Sequence, residues 1–69
     1  MMHSREKLQQ VYIRIARDSG FALPFDSVAY LASRVLDCSP LEFWLSMDLK
    51  TMQMIADGNH PVCGVQTNG

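Results

Sequence analysis

Four consecutive residues, Ser39-Pro40-Leu41-Glu42, dictate a helix start more firmly than any other feature of this chain. The serine hydroxyl can accept from the free amides of a first turn. Proline suits the first helical position, where its missing N–H costs nothing, and a glutamate three residues after the cap can reach back to it. With that start in place, Gly20, Pro24 and Gly58 cut the remaining periodic segments into short lengths. The expected fold is all-α: a single-domain bundle of three to four short helices over residues 1–58, with residues 59–69 as a flexible C-terminal tail.

Each segment has its own signals. Leu8, Val11, Tyr12 and Ile15 repeat at helical spacing, which predicts a first helix from Arg5 to Asp18. Ser4 is its expected N-cap, and Gly20 its left-handed terminator. Phe21, Leu23 and Phe25 flank Pro24 in a connector, and apolar residues so placed are expected to fold inward. Asp26 is the expected cap of a second helix, Ser27 to Leu36, with Val28, Leu31, Ala32, Val35 and Leu36 as its apolar face; Ala29 and Ala32 would permit close helix contact. After Pro40 two outcomes stay open. One is a single helix to Asp57. The other is a short turn carrying Leu41, Phe43 and Trp44, a second cap at Ser46, and a last helix from Met47 to Asp57. Leu49, Met52, Ile55 and Ala56 form the stripe of that last segment, and Gly58 ends it. Residues 59–69 have no periodicity and many helix breakers.

With 69 residues, 48% of them hydrophobic, the chain hides only part of its apolar surface. A domain of this size buries about 60% of what its unfolded chain exposes. Some of the apolar content is therefore expected to serve a partner. The net charge of −1 argues against a dedicated nucleic-acid or membrane-surface binder. It is unevenly spread: residues 1–20 carry +2 and the remainder −3. No apolar run approaches the roughly 20 residues of a membrane span. The N-terminal residues lack the apolar run of a signal peptide. Cys38 and Cys63 are too few for a disulfide framework, so a reducing cytoplasm with both thiols free is expected.

Catalytic equipment is missing from the pattern. There is no glycine-rich phosphate loop, no G-x-S-x-G and no H-E-x-x-H. Cys38 precedes a helix start, where a thiolate would gain stability, but the histidines, His3 and His60, lie in the terminal segments. Cys38, His60, Cys63 and His3 could formally supply four metal ligands. Only His60-x-x-Cys63 has close spacing, so neither metal nor cofactor is expected. A helix-turn-helix built from the second and third helices would place Pro40–Ser46 against base edges. That segment has no Arg, Lys, Asn or Gln for readout. Should the chain bind DNA as a small phage or plasmid regulator, Arg14 and Arg17 on the more basic first helix are the candidate contacts.

Protein binding without catalysis is the reading that remains. A small domain needs its one indole inside, yet tryptophan is also a favoured interface anchor. Met47 and Met54 lie off the last helix's stripe and seven residues apart, and flexible thioethers suit adaptable surfaces. The candidate interface residues are Phe43, Trp44, Met47 and Met54, facing an apolar helical segment of a partner protein. Self-association and inhibition of a host enzyme are compatible with the same features.

The stretch Ser39 to Gly58 resembles small tail-assembly chaperones of tailed phages and related gene-transfer particles. The matching positions are Ser39, Pro40, Glu42, Phe43, Trp44, Ser46 and Leu49, preceded by an apolar helix, Val28 to Leu36, of similar placement. The resemblance covers about half the chain. It implies a protein that binds the long helical tape-measure protein before the tail tube forms, shields its apolar faces, recruits tube subunits and is absent from the finished particle.

Overall fold

The computed structural model describes residues 3–63. These residues form four α-helices and one short 3₁₀ turn, with no strand among them. Helix α1 spans Arg5–Asp18, α2 Phe25–Leu36, α3 Leu41–Ser46 and α4 Leu49–Asp57; the 3₁₀ turn is Pro61–Cys63. The all-α expectation is met, and the segment after Pro40 is two helices rather than one. In the first part of the expected tail, the 3₁₀ turn follows His60, whose Nδ1 accepts from the Val62 amide at 3.1 Å. The rest of the expected tail, residues 64–69, lies outside the described residues.

Helix α1 begins as its sequence dictates, with the Ser4 hydroxyl accepting from the Lys7 amide at 3.1 Å. It packs against α2 most extensively and also against α3 and α4, while α2 and α4 meet each other. Leu8, Tyr12 and Ala16 line its buried side. Opposite them stand Val28, Ala29, Ala32 and Ser33 of α2, Phe43 of α3, and Met52, Ile55 and Ala56 of α4. Phe21, Leu23 and Phe25 pack against this core, as connector residues of that type should.

Two expectations for α2 are corrected. Its cap is Pro24, with φ −67° and ψ 159°, and the helix starts at Phe25 rather than Ser27. The Pro24 carbonyl receives the Ser27 and Val28 amides, both at 3.1 Å, so Asp26 sits inside the first turn. The buried face is also turned by about one position from the expected stripe. Leu31 and Val35 are exposed, while Ala29 and Ser33 are buried. Small side chains let helix axes come close, and Ala16 supplies another on α1. The buried Ser33 hydroxyl is satisfied by donating to the Tyr30 carbonyl oxygen.

Helices α1, α2 and α4 end with the same hydrogen-bond pattern. The amide of the left-handed residue bonds three back, and the following amide bonds five back: Gly20 to Arg17 and Phe21 to Ala16, Asp37 to Arg34 and Cys38 to Ser33, Gly58 to Ile55 and Asn59 to Met54. Glycine fills this position at the ends of α1 and α4, with φ +70° and +79°; Asp37 fills it at the end of α2 with φ +55°.

Candidate functional site

Helix α3 is six residues long, little more than one and a half turns. Ser39 caps it through a hydrogen bond from the Leu41 amide at 3.2 Å, and Pro40 has helical dihedrals, φ −56° and ψ −25°. Cap and proline therefore act as the sequence predicts. Glu42 does not complete the reciprocal arrangement: its Oε1 is buried without a hydrogen-bond partner.

Within this one turn the side chains divide sharply. Phe43 points inward, fully buried, its ring 5.9 Å from that of Tyr12. Leu41, Trp44 and Leu45 point outward with 59%, 44% and 77% of their surface exposed. Residues at i, i+3 and i+4 share a helix face, so these three form one continuous apolar surface. Leu49, at the start of α4, is also exposed, although the sequence stripe placed it in the core. The Trp44 indole rests on one side against Phe25, centroids 5.4 Å apart and rings edge-to-face, which holds it in place while its other side meets solvent.

Of the expected interface residues, Trp44 is on the surface, Met54 is half-buried, and Phe43 and Met47 are not available to a partner. Met47 is only 7% exposed. Its expected face assumed an unbroken helix, in which residues seven apart align. The chain instead extends at Met47, with φ −131° and ψ 140°, and α4 is capped by Asp48 rather than Ser46. That extension turns the thioether into the core, beside a polar notch of about 370 Å³ lined by Arg5, Gln9, Ser46, Asp48 and Thr51. The Thr51 hydroxyl donates to the Asp48 carboxylate and holds its pKa below the ordinary carboxylate value. Leu41 and Leu45 were missed because leucine after a helix start reads as core. Their exposure follows from Phe43, since a single turn cannot bury both sides.

A second apolar area lies on α2. Leu31 and Val35 are exposed there, and Leu23, Asp26, Ser27, Tyr30 and Leu31 line a shallow groove of about 430 Å³. Arg34 covers part of the helix, donating to the Tyr30 hydroxyl at 3.0 Å and lying 5.9 Å from its ring centroid. The outward face of α3 has no such polar cover.

The remaining chemistry is muted. Partial burial, together with the Glu42 and Asp37 carboxylates, pushes the Cys38 pKa above its ordinary value, opposite to the activation expected of a thiol before a helix. His3 is placed by its Nε2, 2.9 Å from the Leu36 carbonyl oxygen. Among the described residues, no three His, Cys, Asp or Glu side chains converge as metal ligands. Arg14 and Arg17 stand on the exposed side of α1, while the turn that would enter a DNA groove presents leucines and an indole. No helix among the described residues is long and apolar enough to cross a membrane. The chain matches no family model, no curated protein and no solved structure.

Proposed function

We propose that this protein is a non-enzymatic binding module that docks a helical segment of another protein on the outer face of α3. One observation carries the reading: α3 is apolar on both sides, with Phe43 in the core and Leu41, Trp44 and Leu45 in solvent. A helix hydrophobic all round is normally covered on all sides. An apolar surface of this kind is the feature that an amphipathic partner helix uses. In its finer form the reading is a phage tail-assembly chaperone, acting in the bacterial cytoplasm and shielding apolar helical segments of a tape-measure protein. The likeness of Ser39 to Gly58 to that family supports this, and its aromatic Trp44 belongs to the docking face.

The test is affinity capture from infected or lysogenic cells, comparing the native chain with Leu45→Asp. The native chain should retain a tail protein, and the variant should lose it while keeping its helical circular dichroism. Equal capture by both would remove α3 from the interface. Failure of the native chain to recover any tail protein would remove the chaperone reading.

A further inference from the structure

We infer that the outer face of α2 binds a second copy of this chain, antiparallel about a two-fold axis beside Tyr30 and Leu31. The inference concerns a different helix from the docking reading above and stands without it. Residues four apart stack along a helix, so the outward side of α2 consists of two rows. One row is Asp26, Tyr30 and Arg34, all exposed; the other is Ser27, Leu31 and Val35, with Leu31 and Val35 exposed. Asp26 and Arg34 are the only charged residues of α2. They stand at opposite ends of one row, about 12 Å apart along the axis, too far to pair with each other. Both are held in place: Asp26 Oδ1 accepts from the Ser27 amide at 2.9 Å, and Arg34 Nη1 donates to the Tyr30 hydroxyl at 3.0 Å.

This face is complementary to itself. An antiparallel two-fold lays each row against its own reversed twin. Asp26 then faces Arg34 of the second copy, Arg34 faces its Asp26, and Tyr30 and Leu31 meet their twins near the axis. Opposite charges therefore meet twice while the apolar residues cover one another. Val35, 65% exposed, comes over Ser27 of the second copy, in the shallow groove of about 430 Å³ that Leu23 and Leu31 also line. The guanidinium fork has further N–H donors beyond the one given to Tyr30, so it can serve a carboxylate at the same time. Asp37, past the end of α2, falls opposite Leu23 of the second copy. A parallel pairing would instead lay the charged row over the apolar one and set Arg34 on Val35. On α3 no such charge pair exists, since Glu42 is its only charged residue. A helix of 12 residues buries less than the roughly 1,600 Å² of a standard interface, so the dimer is weak and forms with rising concentration.

The full chain is followed by sedimentation equilibrium from about 10 µM to about 1 mM, where its mass should rise from monomer toward dimer. Asp26→Lys alone, or Arg34→Glu alone, sets like charges opposite each other and should weaken the dimer at least about tenfold. An equimolar mixture of these two variants regains both opposite-charge pairs in a mixed dimer, and its affinity should return to within about threefold of native. Val35→Asp should stay monomeric, and Leu45→Asp should dimerise as the native chain does. Helical circular dichroism checks each variant, and Val35→Asp, at so exposed a site, tests the face even where a charge variant does not fold. A native chain that stays monomeric up to about 1 mM overturns the inference. So does a mixture that associates no more tightly than either variant by itself, or a dimer that Val35→Asp leaves intact. A dimer that Leu45→Asp dissociates belongs to α3 and overturns it too.

Discussion

Tyr12 joins three helices through one hydroxyl. From α1 it donates to the Met52 carbonyl oxygen of α4 at 2.9 Å, with the Phe25 carbonyl oxygen at the start of α2 at 3.2 Å. Tyr12→Phe keeps the ring and its contact with Phe43 but removes this shared bond, and should cost about 1–2 kcal/mol in urea unfolding. Burial, reinforced by Asp26 and Asp57, drives the Tyr12 pKa far above the phenol range. The unfolded phenol ionises near pH 10. Its contribution is therefore complete below that pH and declines as pH rises toward the folded value. Native protein should lose stability above about pH 10 more steeply than Tyr12→Phe, measured by unfolding midpoints across alkaline pH. Two glycines make a second comparison. A methyl group at Gly20 would meet nothing within 4 Å, whereas at Gly58 it would lie 3.0 Å from the Phe21 ring. Both positions have positive φ, so alanine at either should cost at least about 1 kcal/mol. Gly58→Ala should cost clearly more in the same assay, because Phe21 is itself held at φ +58° and has little freedom to withdraw. The sequence displayed Gly20 and Gly58 as helix ends, but nothing in it could show that Phe21 packs on one of them, since that contact is made by the fold.

Helix boundaries were legible where the residue type itself is suited to the cap, a hydroxyl at a start or a glycine at an end. Ser4, Ser39 and Gly58 mark their positions because each satisfies backbone groups that a helix leaves open. The start of α2 was not legible, because Pro24 caps it with backbone alone and Asp26, a better cap by type, falls two residues later. The buried face of α2 was misread for a related reason. Periodicity weights large apolar residues, and Leu31 and Val35 outweigh Ala29 and Ser33, yet the smaller side chains face α1 and α4. The left-handed residue ending α2 was also missed, since aspartate there is less common than glycine. Its φ of +55° is unfavourable for a residue with a Cβ. Asp37→Gly should therefore raise stability by about 0.5–1 kcal/mol, seen as a higher midpoint at unchanged m-value. No change in midpoint would mean that the Asp37 side chain offsets its own backbone strain.

At the scale of the whole molecule, the short chain cannot enclose everything apolar that it carries, and the excess collects on two helices, on α2 under partial cover from Arg34 and on α3. The inward residue of α3 belongs to the fold and its outward residues do not, although they are neighbours in sequence. The excess was legible from composition, but its location was not. Phe43, Trp44 and Leu45 read alike in a sequence, and only packing against Tyr12 separates them. The two roles should therefore come apart experimentally. Phe43→Ala empties a fully buried site and should cost about 3–5 kcal/mol, enough to unfold much of a marginal domain. The double change Leu41→Gln and Leu45→Gln touches side chains that are 59% and 77% exposed, so its effect on the unfolding midpoint should stay within about 0.5 kcal/mol. The same double change should weaken binding of a partner helix severely, because it places polar groups in the centre of the docking surface. It should also reduce binding of an apolar dye such as ANS, while leaving near-ultraviolet circular dichroism unchanged. If the double variant instead unfolds with the midpoint of Phe43→Ala, the outward leucines are part of the fold, and α3 has no free face to offer a partner.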